Sequence, residues 1–355
     1  MNCFSIAIYI AINFLLINHF CFSKRLFGFA VEVKELKQTD LPYADIVKKF
    51  TSIITPANAM KWGSLENQKG QYNFDDADLI VKFAKENNKY IKFHNVVWHN
   101  QVPVRLQKLG KDELLKATID HINVVFDRYA KDVLYADICN EIFQDGGGQR
   151  RENYWQKAIG DDYVELVYKA ADESRKKFNP NLKFCINDFS VEGKNDKSNA
   201  LYEISKKLKA SGLIECVGFQ THLIAGSVPK DMKENMQRFV DLGLEVHLSE
   251  IDIRMKIDGV TDEELQKTTK QSVQDWKQVF ENCLSVKGCK VMTAWGVGEP
   301  DSWIPSTFKG FGGGLLFDNK YQPKVAFETI KELIPSPDGS CKKKLNQTNS
   351  NLKRL

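Results

Sequence analysis

Strongly basic or acidic stretches are almost missing from this chain of 355 residues, whose formal net charge is +4. The segment 337–355 alone carries this excess, since Asp338 is its single acid and its bases are Lys342, Lys343, Lys344, Lys353 and Arg354. The remainder is close to neutral, which excludes the electrostatic footprint of a nucleic-acid-binding protein. We expect 337–355 to be a solvated, disordered tail, in which Asn346 begins a glycosylation sequon.

Charged side chains are absent from residues 1–23. The apolar run from Ile6 to Ile17 is too short for a comfortable membrane span and suits the core of a signal peptide. Cys21 and Ser23 are the small residues that a cut before Lys24 requires. A cut after residue 30 would destroy the first strand proposed below. We therefore predict a signal peptide at 1–23 and a secreted, extracellular protein without a membrane partner; an uncleaved anchor is the alternative.

Metal-binding cysteine spacing is also missing, because no pair among the 8 cysteines has the separation found in zinc fingers. Export would permit disulfides among the cysteines that remain after signal removal. Cys283 and Cys289 bracket a short turn and are the best candidate pair. Cys139 and Cys185 lie within apolar strands and are predicted to be buried thiols. The sequence leaves two others unassigned: Cys216 and Cys341.

A glycine-rich phosphate-binding turn is missing after the first predicted strand, and the glycine cluster at 310–314 lacks the residues of a phosphate loop. These absences disfavour an open doubly wound sheet. Apolar β-rich runs occur at 27–31, 51–55, 90–97, 134–139, 183–187, 216–220, 245–248 and 291–295. Amphipathic helical stretches lie between them at 75–87, 111–130, 163–177, 195–211, 229–242 and 262–281. This alternation predicts an α/β fold, a single closed (β/α)8 TIM barrel over residues 24–336.

Polar and aromatic side chains gather in and after predicted strands two to eight. They are Asn58, Lys61, Trp62, His94, Trp98, His99, Gln101, Asn140, Glu141, Asn187, Asp188, Gln220, His222, Glu250, Asp252, Trp295 and Trp303. Each one alone has a structural explanation, such as a paired carboxylate or a packed indole. A barrel built only for stability would not collect them on one rim, because buried polar groups need partners. That rim is where a TIM barrel carries its active site.

Two carboxylates, Glu141 and Glu250, end the fourth and seventh predicted strands. Glycoside hydrolysis needs such a pair, one to protonate the leaving oxygen and one to stabilise the developing positive charge, and in retaining enzymes they lie roughly 5–6 Å apart. Apolar neighbours favour the protonated form of Glu141, which suits the general acid and later base. Asp252 and His222 would keep Glu250 ionised as the nucleophile. The amide side chains suit the hydroxyl groups of a sugar, and the indole rings suit its apolar C–H faces.

Nine collinear segments then carry a resemblance to a known family. They lie at 55–62, 70–78, 94–103, 137–141, 186–189, 218–223, 248–254, 293–296 with 302–303, and 315–324. The fourth reads Asp-Ile-Cys-Asn-Glu and the seventh Leu-Ser-Glu-Ile-Asp-Ile-Arg. In this order, over nearly the whole mature chain, they resemble glycoside hydrolase family 10, the retaining endo-β-1,4-xylanases.

The resemblance implies a role for each matching residue. Glu141 would be the acid/base and Glu250 the nucleophile, Asn140 would hold the sugar 2-hydroxyl, and His222 would bridge Glu250 and Asp252. The central sugar site would be lined by Lys61, His94, Trp98, Gln220 and Trp295, and the next site by Asn58, Gln101 and Trp303. Family members with a pair like Cys283 and Cys289 have it as a disulfide. The substrate would be xylan, and we expect a monomer without metal or organic cofactor.

Three positions depart from the family pattern. Ala57 stands where a sugar-binding glutamate is usual, Ala136 replaces a usual tryptophan, and Glu299 replaces a usual aspartate. The helix that often precedes the first strand is also absent. None of these departures removes Glu141 or Glu250, so they concern substrate specificity more than reaction class.

Three alternatives stay open at this point. A family relative could act on another β-glycan or a small β-glycoside, which the loss at Ala57 would permit. A non-catalytic barrel could bind glycan or inhibit another protein, although it would have no need for both carboxylates. A metal hydrolase using His94, His99 and His222 is disfavoured, because side chains five residues apart on a strand point to opposite faces.

Overall fold

The computed structural model describes residues 25–337. The predicted signal peptide, Cys341 and the sequon at Asn346 lie outside these residues. The strands in chain order are β1 (Leu26–Val31), β2 (Ile53–Pro56), β3 (Tyr90–Phe93), β4 (Tyr135–Asn140), β5 (Lys183–Asp188), β6 (Cys216–Phe219), β7 (His222–Ile224), β8 (Glu245–Lys256), β9 (Cys289–Ala294) and β10 (Phe311–Gly312).

Eight of these strands form a closed parallel barrel. β1 to β6 pair in sequence, β6 pairs with β8, β8 with β9, and β9 returns to β1. Two short strands extend β8 beyond the barrel, β7 in parallel and β10 in antiparallel pairing. The predicted (β/α)8 barrel is therefore confirmed, and all eight barrel strands end at the same rim.

Helices connect the strands on the outside of the barrel. They are α1 (Val33–Leu36), α2 (Tyr43–Phe50), α3 (Trp62–Leu65), α4 (Asp75–Glu86), α5 (Lys111–Tyr129), α6 (Tyr154–Ile159), α7 (Tyr163–Phe178), α8 (Asp196–Ala210), α9 (Met232–Asp241), α10 (Asp262–Ser285), α11 (Ile304–Thr307) and α12 (Val325–Ile330), with 3₁₀ turns at Val104–Lys108 and Glu299–Asp301. None of the helices within 25–337 is long and apolar enough to cross a membrane.

Helix α4 shows why these segments become helices. Three aspartates occupy its first turn, where negative charge interacts favourably with the helix dipole. Its buried residues are Ala77, Ile80, Val81 and Ala84, which recur at helical spacing and face the barrel. The sequence prediction of 75–87 therefore matches the element within one residue.

The apolar core has two parts. The larger part lies between strands and helices and includes large, fully buried side chains such as Phe27, Trp155 and Trp276. A smaller cluster comes mostly from the starts of the strands: Leu26, Ile53, Tyr135, Cys185, Cys216 and Val291. Because that cluster fills the amino-terminal end, the opposite rim is left for polar side chains.

Two strands differ from their predicted bounds by more than two residues. β3 ends at Phe93 rather than at residue 97, although Val97 still forms an isolated bridge with Cys139. β8 continues from the predicted end at residue 248 to Lys256, because β7 and β10 supply hydrogen-bonding partners beyond the barrel rim. Neither partner strand was predicted from the sequence.

One cysteine prediction is wrong. Cys185 is joined to Cys216 in a disulfide, since the two residues are direct partners on adjacent strands β5 and β6. Cys283 and Cys289 form the second disulfide, the pairing that the resemblance implies. Cys139 is a free, buried thiol whose pKa is raised by burial.

Candidate active site

A cleft of about 850 Å³ opens at the rim formed by the carboxyl ends of the strands. It brings together all twelve residues that the sequence assigned to catalysis or sugar binding: Asn58, Lys61, His94, Trp98, Gln101, Asn140, Glu141, Gln220, His222, Glu250, Trp295 and Trp303. Asp252 lies behind His222 and is buried. The rim location follows from the barrel, because parallel strands present their ends together.

Glu141 directly follows β4 and adopts a left-handed backbone conformation with φ of 57°. This region is unfavourable for a side chain larger than glycine and is typical of functional sites. The conformation is held by the Glu141 N–H, which donates to the Asn187 carbonyl at 2.8 Å. Gln220 Nε2 donates to Glu141 Oε1 at 3.0 Å, and His99 Nδ1 lies 3.7 Å from Oε2.

Glu250 lies within β8 and is almost fully buried. Asn187 Nδ2 donates to its Oε1 at 2.6 Å, and His222 Nε2 lies 3.3 Å from its Oε2. Burial alone would raise the pKa of this carboxyl. The hydrogen bond from His222, the charges of His94 and His222, and the Asn187 bond outweigh burial and lower the pKa below its usual value. Glu250 is therefore held as a carboxylate.

His222 lies between two carboxylates. β7 pairs with β8 so that His222 is opposite Asp252, and Nδ1 lies 2.8 Å from Asp252 Oδ2. Burial acts to lower the pKa of His222, but the charge of Asp252, its hydrogen bond and the contact with Glu250 raise it to about 10. His222 is thus protonated at neutral pH and donates an N–H hydrogen bond to each neighbouring carboxylate. Trp303 Nε1 also donates to Asp252 Oδ2, at 2.7 Å.

Three amides connect Glu141 to Glu250 across the floor of the cleft. Asn187 Nδ2 bonds both Glu250 Oε1 and Asn140 Oδ1, the latter at 2.9 Å. Gln220 Nε2 lies 3.4 Å from Asn140 Oδ1 and also bonds Glu141. The two carboxylates therefore share one hydrogen-bonded framework, which fixes their relative orientation.

A second cluster of polar side chains lies where β1 and β2 end. Lys61 Nζ donates to Asn58 Oδ1 at 3.0 Å and to Gln101 Oε1 at 2.6 Å. Asn58 Nδ2 in turn donates to Glu32 Oε1 at 2.5 Å. The Lys61 ammonium lies 4.8 Å from the centre of the Trp98 ring. Glu32 lines the cleft but was not predicted as a site residue. It directly follows the first predicted strand, just as the predicted site residues follow the other strands.

His94 is supported from inside the barrel. Its Nδ1 lies 3.0 Å from Asp137 Oδ2, and Lys92 Nζ lies 2.9 Å from the other oxygen of Asp137. All three residues are buried, and the Trp295 ring packs edge-on against His94 at 5.1 Å. A buried ion pair thus orients the imidazole toward the cleft.

Several other residues of the cleft had no role in the sequence prediction. Asn187 was recognised as a strand-end residue, but its position between both carboxylates depends on the pairing of β5 with β4 and β6. The cleft lining also contains Asn100, Asp145, Arg151, Phe189, Ser190, Arg254, Asp301, Thr307 and Phe308. Most of these lie on loops or beyond the predicted strand ends, where periodicity carries no signal.

Within the described residues, one group of histidine, cysteine and carboxylate atoms is compact enough to surround a metal ion. It consists of Cys185, Cys216 and His247, whose ligand atoms lie within 4.8 Å of one another. Both sulfurs are joined in the disulfide and have no thiolate to offer. This group is buried in the amino-terminal part of the barrel and contributes nothing to the cleft.

The arrangement can perform acid–base and nucleophilic chemistry on a sugar. Glu250 is ionised, Glu141 is the more exposed carboxylate with 13% of its side chain accessible, and both face one open cleft. Amide and imidazole donors surround them, and Trp98, Trp295 and Trp303 add apolar faces. Two carboxyl groups in different surroundings are what glycosidic bond cleavage requires.

Comparison with known proteins agrees with this chemistry. The model of glycosyl hydrolase family 10 matches residues 17–333. The endo-1,4-beta-xylanase B of Thermotoga neapolitana is 34% identical over 296 residues, covering 82% of this chain and 83% of the relative. The endo-1,4-beta-xylanase 5 of Pyricularia oryzae is 33% identical over 315 residues, covering 87% and 75%. The structure of xylanase 10B from Thermotoga petrophila with xylobiose superimposes with a TM-score of 0.82 at 34% identity, covering 88% and 94%. The chain is therefore a glycoside hydrolase that belongs to glycosyl hydrolase family 10.

Proposed function

We propose that this enzyme is a secreted, retaining endo-β-1,4-xylanase that cleaves internal bonds of xylan by double displacement. The observation that carries the proposal is the pair Glu141 and Glu250, which share one amide framework in an open cleft while only Glu250 is bonded to a protonated imidazole. The similar proteins named above are xylanases, which supports xylan as the substrate.

In the first step, Glu250 attacks the anomeric carbon while Glu141 donates its proton to the glycosidic oxygen. A bond forms between Glu250 and the sugar, and the bond to the leaving sugar breaks. The pair of electrons from that bond stays on the leaving oxygen, which keeps the proton. His222 holds Glu250 ionised and oriented before the attack.

In the second step, Glu141 is a carboxylate and removes a proton from water, whose oxygen attacks the anomeric carbon. The bond to Glu250 breaks and its carboxylate is released. Two inversions give net retention of the anomeric configuration. We expect Asn140 to hold the sugar 2-hydroxyl through both steps, and its position next to Glu141 and its hydrogen bond from Asn187 support this role.

Secretion is supported by the charge-free apolar start of the sequence and by the two disulfides, which are typical of oxidising compartments. The proposed organisation is a signal peptide at 1–23, one catalytic domain at 24–336 and a basic tail. We propose that the mature enzyme acts as a monomer.

Role-specific variants test the mechanism. Glu250→Gln should lose hydrolysis of aryl β-xylobiosides by roughly 10³-fold or more, because no nucleophile remains. Glu141→Ala should lose xylan hydrolysis to a similar degree but still form the glycosyl-enzyme from substrates with a good leaving group, which need no proton. The exposed Glu234→Gln on α9 serves as the matched control and should behave as the wild type.

Product stereochemistry provides an independent readout. Proton NMR during hydrolysis should show the β-anomer first, and product chromatography should show several chain lengths early in the reaction. An initial α-anomer would contradict double displacement. Equal loss on all substrates for both variants would contradict the assigned roles.

A second substrate class is favoured by one observation. Ala57 lines the cleft without a polar group, where the family usually has a glutamate. If another β-glycan is the main substrate, kcat/KM on carboxymethylcellulose or aryl β-glucosides will exceed that on xylan and aryl β-xylosides.

A further inference from the structure

Arg254 lines the cleft on the part of β8 that extends beyond the barrel. Its guanidinium carbon lies 4.1 Å from the centre of the Phe308 ring, which follows α11. The Phe308 ring packs at 5.3 Å against Trp303, which also lines the cleft. Arg254 is thus held against an aromatic wall beside the proposed sugar-binding tryptophan, and it is only partly buried.

The other cations of the cleft have partners within the protein. Arg151 pairs with Asp145 at 2.5 Å, and His222 lies between two carboxylates. Lys61 donates to two side-chain amide oxygens. Each of these cations is therefore engaged by side chains of the protein.

Arg254 differs from them. Among residues 25–337, no carboxylate lies within ion-pair distance of its guanidinium, and no protein atom accepts a hydrogen bond from it. Its nitrogens are also not among the buried polar atoms that lack partners, so they reach solvent. The acid nearest along the strand is Asp252, whose Oδ2 accepts from Trp303 and His222. A guanidinium has five N–H donors, and in Arg254 none of them is bonded to a protein acceptor among the described residues.

The charge of Arg254 is present at neutral pH. Partial burial lowers its pKa, and the charge of Asp252 acts in the opposite sense. A guanidinium nevertheless remains protonated under all ordinary conditions. Its planar fork matches a carboxylate in a bidentate contact, which a neutral sugar hydroxyl cannot reproduce.

We propose that Arg254, backed by Phe308, binds the carboxylate of a uronic acid branch on the polysaccharide. The inference rests on the proposed function, because a xylan backbone is neutral and glucuronic acid is the acidic substituent that such a backbone carries. The site makes Arg254 a specificity-determining residue for acidic, branched substrate.

Chemical reduction of the substrate carboxyl tests this without changing the enzyme. Glucuronoxylan and the same polymer with its uronic acids reduced to neutral sugars differ only in the group that Arg254 would bind. For the wild type, kcat/KM should be about fivefold higher on the acidic polymer, the range of a partly exposed charge-assisted hydrogen bond. Added salt should reduce this ratio.

Variants then assign the effect to Arg254. In Arg254→Met, which keeps an aliphatic side chain against Phe308, the ratio of acidic to reduced polymer should fall to about one, and Arg254→Lys should retain part of it. The control is Lys256→Met, which removes an exposed charge two residues away on the same strand and should leave the ratio unchanged.

Two results would overturn the proposal. One is a wild-type ratio of one, and the other is a ratio that survives in Arg254→Met. Hydrolysis of both polymers at equal rates refutes the uronic acid site while leaving the xylanase function intact. Failure to hydrolyse either polymer refutes the proposed function and this inference with it.

Discussion

Glu250 owes its ionised state to its neighbours. Burial raises the pKa of Glu250 and so opposes its charge. This effect is outweighed by the hydrogen bond and charge of His222, the charge of His94 and the hydrogen bond from Asn187, which lower the pKa. His222 is itself charged because Asp252 and Glu250 overcome its burial. Removal of either charge therefore alters the other, and Glu250, the proposed nucleophile, titrates with His222 as a coupled pair.

Substitution of His222 tests this coupling. His222→Gln keeps a hydrogen-bond donor but removes the positive charge, so the pKa of Glu250 should rise toward its buried, protonated form. More Glu250 is then protonated at low pH, and the acidic limb of kcat/KM should move to higher pH. A pH profile measured with an aryl β-xylobioside gives the shift.

The basic limb serves as the internal control and should stay at its wild-type position, because no hydrogen bond or ion pair joins Glu141 to His222 among the described residues. An acidic limb at the wild-type pH, with only a uniform drop in rate, would mean that His222 orients Glu250 without controlling its charge.

At the scale of single elements, the position of the Asn187 side chain against β6 depends on one glycine. A Cβ on Gly218 would lie 2.0 Å from Asn187 Oδ1 and 3.2 Å from Ser249 Oγ. Ser249 Oγ already donates to that Asn187 oxygen at 2.6 Å. The amide therefore has little freedom to move, and a larger residue at 218 would displace it.

We expect Gly218→Ala to lower kcat by roughly tenfold to 100-fold, because Asn187 would no longer align Glu250 and Asn140. The protein should still fold, which circular dichroism can establish. Gly110→Ala is the matched control, since nothing lies within 4 Å of a Cβ there. A variant with wild-type kcat would show that Asn187 is not needed for alignment.

The elements were predictable where local pattern decides them. The helix at 75–87 and the strand at 183–187 have apolar positions at the right spacing, and the structure matches them within a residue or so. β7 was not predictable, because three residues with His222 at their head carry no periodicity and become a strand only by pairing with β8. The site residues on barrel strands could be predicted because apolar spacing identifies these strands and therefore their ends.

At the scale of the whole molecule, closure of the barrel decides what local pattern leaves open. The sequence predicts a buried thiol at Cys185, because its neighbours along the strand are apolar. The register of β5 against β6 is what brings it opposite Cys216, with which it forms a disulfide. The same closure places Asn187 between Asn140 and Glu250. Long-range pairings of this kind are set by the topology of the barrel. The local pattern of a single sequence does not predict which residues of two strands lie opposite each other.

The two disulfides should contribute unequally to stability. Cys185–Cys216 closes 31 residues and Cys283–Cys289 closes 6. The entropy of loop closure in the unfolded chain then predicts losses of about 3.5 kcal/mol for the double variant Cys185→Ala/Cys216→Ala and about 2 kcal/mol for Cys283→Ala/Cys289→Ala. Guanidinium denaturation of both variants measures the difference.

The comparison between these two variants is matched, because all four cysteines are fully buried and each substitution removes the same atoms. Cavity effects therefore enter both measurements in the same direction, and the difference of about 1.5 kcal/mol reports chain entropy. Equal losses would mean that packing around the sulfurs outweighs loop length. A larger loss for the six-residue loop would show that this disulfide holds the junction of α10 and β9, which its short connection joins.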